Sequence, residues 1–162
     1  MHLYEAHLPV SDTKIAQRFY VEIVGLRFAH RDLTRDVVFL WAGSDRRSML
    51  GLWGPSTTLG SEFHKCHIAF RVSLDELLAA GKRLNAAGIQ TQNFAGEKTT
   101  EPSVIGWMPS TQLYFRDPTV TRSSLSPFWT NLQSRSLSGR SQNGSSGAML
   151  HEVALCLLFF AS

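Results

Sequence analysis

The sequence predicts an α+β protein made of two tandem βαβββ modules, and three observations carry that reading. Glu5-Ala6-His7-Leu8-Pro9-Val10-Ser11 lies over His67-Ile68-Ala69-Phe70-Arg71-Val72-Ser73, an internal repeat with an offset of 62 residues. In each copy an alternating apolar pattern gives way to a helical one and then to short apolar runs separated by polar turns. The chain of 162 residues, 43% hydrophobic and 18% charged, is long enough for one sizeable core and short for two.

In the first copy Tyr4, Ala6, Leu8 and Val10 alternate on one face of a strand, leaving Glu5 and His7 on the other. Pro9 has no N–H to give a ladder, so this strand is expected at an edge or a bulge. Asp12 is a suitable N-cap for a helix over 12–24, with Ile15, Phe19, Tyr20 and Ile23 on its apolar stripe and Gly25 just past its end. Three strands are predicted next, at 26–31, 36–41 and 48–53.

In the second copy Cys66, Ile68, Phe70 and Val72 alternate against Lys65, His67, Ala69 and Arg71, so Glu5 and His67 hold equivalent places. Ser73 and Glu76 form a capping-box pair, Leu74, Leu77, Leu78 and Leu84 supply the stripe, and Gly88 ends the helix. Strands follow at 89–94 and 112–116, with a loop over 96–109 between them. The modules thus span about 2–53 and 64–118, within one domain over 1–118, and the second lacks its last strand. From Thr119 to Ala148 serine, glycine, arginine and asparagine dominate with no apolar face, so 119–162 is expected to be a disordered tail outside the repeat.

Sixteen basic side chains stand against 13 acidic ones, and Arg122, Arg135 and Arg140 of the tail, opposed only by Glu152, hold two of the three excess charges. Without a clustered basic face, nucleic acid is not an expected partner. Cys66 and Cys156 lie too far apart for a disulfide scaffold and suit a reducing cytoplasm. The opening residues lack the basic-then-apolar pattern of an export signal. No apolar run reaches the ~20 residues needed to span a bilayer, and 149–161 is interrupted by His151 and Glu152. A soluble cytoplasmic protein without a membrane partner is expected.

His7-Leu8-Pro9-Val10-Ser11-Asp12 with Arg18-Phe19-Tyr20 and Val24-Gly25-Leu26, then His67-Ile68-Ala69-Phe70, then Tyr114-Phe115-Arg116-Asp117-Pro118, occur in an order and spacing that resemble the vicinal oxygen chelate superfamily. That group includes glyoxalase I, bleomycin-resistance proteins, fosfomycin-resistance thiol transferases and extradiol dioxygenases. The resemblance covers about 3–118. It implies a cup-shaped open barrel with the helices outside, a homodimer in many members, and a divalent metal (Fe, Mn, Ni, Zn or Mg) that takes two oxygens of a small oxygen-rich substrate. The activities it implies are those of a glyoxalase-like lyase or a ring-cleaving dioxygenase; no residue selects a thiol transferase. The competing readings are a metal-free protein that sequesters a small molecule, as bleomycin-resistance proteins do, and an inert truncated product.

By resemblance His67 matches the second metal-ligand place, although a hydrogen-bonded core histidine is the alternative. The first place holds Glu5, with His7 on the same face two residues later. Glutamate suits a hard cation, and His7 is then a ligand itself, a support for one, or a substrate contact. The third ligand would be the glutamate of a D-G-H-S-L-E-F pattern after Asp117-Pro118; this chain has Thr119-Val120-Thr121-Arg122-Ser123-Ser124-Leu125, with Ser124 in the glutamate's place. Loss of one nucleotide from a gene encoding that pattern yields these residues, so a frameshift is the expected origin of the tail. The edge beside 112–116 would then be bare, and the apolar stretch 150–160 would stick to it.

Glu97, Glu101 and Trp107 lie in the loop that would arch over the cup, as substrate contacts or as solvated carboxylates beside a packing indole. Arg116 would meet a substrate oxyanion at the rim or else pair with Asp117. His64 and Cys66 beside His67 lack the second Cys/His pair of a zinc site, and Cys66 is read as packing. Trp41 and Trp53 are read as core or cup wall.

Overall fold

The computed structural model describes residues 3–62, 66–105 and 110–118, together with the backbone of two further strands at Arg122–Ser126 and Leu155–Leu158. Strand β1 (Glu5–Pro9) buries Ala6 and Leu8 and turns Glu5 and His7 to the opposite face, as the alternation requires. Tyr4 precedes the strand and is exposed. The Asp12 carboxylate accepts the backbone N–H of Lys14 at 2.8 Å and of Ile15 at 2.9 Å, which starts α1 (Thr13–Arg18).

The helix continues as a π-helix over Phe19–Val24. The N–H groups of Gly25 and Leu26 both reach the Tyr20 carbonyl, at 3.0 and 2.8 Å, and Gly25 takes φ +98°, a conformation a Cβ would oppose. Both Phe19 and Tyr20 are buried. The face set by Tyr20 runs back through Ala16 and Thr13, so Ile15, expected on the stripe, falls at its border and is 44% exposed. β2 (Arg27–Asp32), β3 (Val37–Ala42) and β4 (Ser48–Trp53) complete a sheet ordered β1-β4-β3-β2, with β1 parallel to β4. Pro9 sits on its edge strand, where a missing N–H breaks no ladder.

The second module repeats this order. β5 (His67–Arg71) leads into α2 (Leu74–Ala86), which begins with the Ser73–Glu76 capping box. β6 (Ser103–Ile105), β7 (Ser110–Arg116) and β8 (Arg122–Ser126) then give β6-β7-β8-β5, with β5 parallel to β8. The expectation of a missing last strand is therefore corrected: the backbone of Arg122–Ser126 fills the slot between β7 and β5. Ladder hydrogen bonds are made by backbone, so even the polar run R-S-S-L-S satisfies both neighbours.

A further strand, β9 (Leu155–Leu158), pairs antiparallel with the outer edge of β5. The apolar stretch thus caps β5 and not β7, whose free side β8 has taken. Residues 119–162 contribute two strands to the second sheet, against the expectation of a wholly separate tail. The strand predicted at 89–94 reduces to bridges of Gln92 with Lys98 and Tyr114, and β6 forms later, inside the predicted loop. On α2 the buried residues are Leu77, Ala80, Gly81 and Leu84, because the two small ones let the backbone close on the sheet; Leu74 and Leu78 are exposed.

One core joins the modules, with Leu8, Leu40, Leu50 and Leu52 from the first sheet, Tyr20 from the helix, and Ile68, Leu113 and Phe115 from the second sheet. No strand of one sheet is hydrogen-bonded to a described strand of the other. Among the described residues no helix is long and apolar enough to cross a membrane.

Candidate ligand-binding site

The face of the first sheet turned away from the core is laid out by strand register. His7, Gly51 and Phe39 form one row across β1, β4 and β3, and Pro9, Trp53 and Val37 form the next. Gly51 is buried, and its aromatic neighbours close over its backbone. A Cβ there would come within 3.0 Å of Trp53 Nε1, 3.3 Å of Phe39 Cε1 and 3.4 Å of His7 Nδ1. The His7 ring lies 5.1 Å from the Trp53 ring and edge-on to Phe39 at 6.5 Å, while the Arg35 guanidinium stands 5.8 Å over the indole.

Two polar groups converge on this recess. Trp53 Nε1 is buried and has no acceptor among the described residues. An indole N–H left so is unfavourable, and a ligand oxygen would relieve it. The Nε2 edge of His7 faces Glu5 Oε1 at 3.5 Å, both side chains about a third exposed, which presents Nδ1 to the recess. The arrangement thus packs three aromatic rings over Gly51, with a buried indole N–H and a ring nitrogen among them.

The equivalent face of the second sheet is more covered. The His67 ring lies 5.6 Å from Tyr114. Tyr114, itself buried, donates its hydroxyl to the Gln112 side-chain carbonyl, and the Gln112 amide donates to Ser110 Oγ at 3.3 Å. Phe94 meets Tyr114 at 6.1 Å.

Solved structures share this fold. An integron cassette protein from the mobile metagenome of the Halifax Harbour sewage outfall is similar at 26% identity and a TM-score of 0.65, over 78% of this chain and 97% of that one. Lactoylglutathione lyase from Agrobacterium tumefaciens is similar at 20% identity and 0.59, over 77% and 92%. The antibiotic binding protein TnmS3 from Streptomyces sp. CB03234 is similar at 24% identity and 0.57, over 80% and 97%. The chain has the vicinal oxygen chelate fold. No protein-family model matches the sequence, and no curated protein matches it.

Within the vicinal oxygen chelate fold, Glu5 and His67 stand at the start of corresponding strands, β1 and β5. Glu5 and His7 are side by side, but among the described residues no three His, Cys, Asp or Glu side chains gather closely enough to hold one ion. His67 therefore does not join that pair in a single chain. Ser124, in the glutamate's place, is the register partner of Ala69 and Tyr114 and brings no carboxylate. Among the described residues, the donors of one chain do not assemble a site for the divalent metal that the resemblance implies.

The loop candidates are occupied with their own turns. Glu97 accepts the Asn93 amide at 2.8 Å and gives its backbone N–H to the Asn93 side chain, and the Glu101 N–H bonds Thr99 Oγ1; both acids are exposed. Arg116 is exposed at the end of β7, while Asp117 is buried and accepts the Tyr20 hydroxyl. Cys66 packs against the core, and Trp41 and Trp53 lie on strands of the open face. Trp107 and His64 lie outside the described residues. Sequence reasoning missed Phe39 and Gly51. The signal available was a glycine inside an apolar strand, which marks a close approach of backbone to something else.

Proposed function

We propose that this protein binds a small, flat, largely apolar molecule among the His7, Phe39 and Trp53 rings that cover Gly51, a ring moving aside so that an oxygen of the ligand accepts the Trp53 indole N–H. The observation that carries this reading is the buried Trp53 Nε1, unpartnered among the described residues beside a glycine floor. Phe39 and the His7 ring supply stacking surface, and His7 Nδ1 favours a ligand hydroxyl. The antibiotic binding protein with the same fold supports a sequestering role. Calorimetric titration with coumarin, a planar lactone, tests it. Saturable binding at one per chain is expected, weakened about fivefold to tenfold by Trp53→Phe, which keeps the ring and removes the donor. Equal binding by that variant would overturn the assignment.

The Glu5–His7 pair favours a second reading, metal-dependent lyase or dioxygenase chemistry on an oxygen-rich substrate, in which two copies form the site and His67 comes from the second copy. It predicts a dimer that holds stoichiometric divalent metal, loses it on His67→Ala and gains affinity on Ser124→Glu. A folded protein that stays metal-free after incubation with Mn, Fe, Ni or Zn excludes this reading and leaves the first intact.

A further inference from the structure

A second cavity, of about 430 Å³, lies where the modules meet. It opens between the end of the π-helix, the start of β2, the β3–β4 turn, the end of β5 and α2, and none of His7, Phe39, Gly51 or Trp53 lines it. Its volume is in the range of small-molecule sites. Three of its lining residues are arginines, Arg27, Arg71 and Arg83, and one is acidic, Glu76.

Arg27 and Arg83 are held in place by backbone. Arg27 Nη2 donates to the carbonyls of Gly43 and Ser44 at 3.2 and 2.6 Å. Arg83 donates from Nε to the Ile23 carbonyl at 2.7 Å and from Nη2 to that of Val24 at 3.3 Å. In each the Nη1 group has no acceptor among the described residues. Arg71 is half-buried and its side chain makes no hydrogen bond or ion pair with any described residue. The Glu76 Oε2 atom accepts the Ser73 N–H at 2.7 Å and the Ser73 hydroxyl at 2.8 Å, and its single negative charge leaves the three arginines in excess. A half-buried guanidinium without a partner is unfavourable, and an anion would answer it with charge-assisted hydrogen bonds. Trp41 and Phe70 supply the apolar wall beside these cations.

We infer that this inter-module cleft is a separate binding site for an aromatic carboxylate, with the carboxylate on Arg71 between Arg27 and Arg83 and the ring against Trp41. The inference does not depend on the Gly51 recess. Calorimetric titration of the full chain with 1-naphthoate, and with uncharged 1-naphthamide, tests it. One naphthoate should bind per chain, at least about tenfold more tightly than the amide, with affinity falling as salt rises from about 0.05 to 0.5 M. Arg71→Gln should weaken naphthoate about tenfold or more, and Arg71→Lys should restore part of the loss. Because the Arg71 side chain holds no other group among the described residues, both variants should melt like the parent. Naphthoate that binds no better than the amide, does not bind, or is insensitive to Arg71→Gln overturns the proposal. Binding that falls with W53F and not with R71Q belongs to the recess and also overturns it.

Discussion

Tyr20 donates its phenolic hydrogen to Asp117 at 2.8 Å, across 97 positions of sequence and out of contact with water. The bond ties the helix of the first module to the end of β7 in the second, beside a ring cluster in which Phe19 and Phe70 also meet Tyr20. Tyr20→Phe keeps the ring and removes the donor, so a buried carboxylate oxygen loses a partner. Destabilisation of about 1–3 kcal/mol is expected, read from the urea midpoint at unchanged slope.

Acid should destabilise the chain through two carboxylates of the first module. The Thr34 hydroxyl and then the Arg35 guanidinium hold Asp32 far below the ordinary carboxylate range, and the backbone N–H groups of Ile15 and Lys14 lower Asp12 as well. Both groups are depressed in the folded chain. Their contribution is therefore complete above the unfolded value of about 4 and is lost as pH falls through the lower folded values. Thermal melts between about pH 5 and pH 2 should show a falling midpoint, and Asp32→Asn should flatten that fall.

Gly51→Ala tests the recess from its floor. The added methyl would stand 3.0 Å from Trp53 Nε1 and 3.3 Å from Phe39 Cε1, so it pushes the covering rings apart. Coumarin affinity should drop about tenfold or more, with a stability loss of about 1–3 kcal/mol from overpacking, separable by melting the same sample.

β9 covers the outer edge of β5 through pairs such as Ala69 with Cys156 and Ile68 with Leu157. Removing residues 149–162 would leave the N–H and C=O groups of that edge open to another chain. Size-exclusion chromatography should then show concentration-dependent self-association beyond that of the full chain.

Much of the local structure was legible because its causes are local. Asp12, Ser73 with Glu76, and Gly25 mark helix ends by satisfying or releasing backbone groups within a few residues. Pro9 named an edge, and the alternation in β1 and β5 put Glu5, His7 and His67 away from the core. The pattern failed at β8, where R-S-S-L-S carries no strand signature and is held by the unsatisfied backbone of β5 and β7 on either side. It failed at Ile15 as well, because the face of a helix is chosen by what it packs against, and here Tyr20 chose it.

Read alone, the chain determined two repeats, the order of most of their elements and the polar side chain that opens each β-strand, since periodicity and capping act over a few residues. Tertiary structure alone decided what those side chains meet. Register across three strands set His7, Gly51 and Phe39 in one row, and the helix–sheet junction drew Arg27, Arg71 and Arg83 around one cleft. Neighbours across a sheet or between modules are distant in sequence, so only the cooperative packing of the core brings them together.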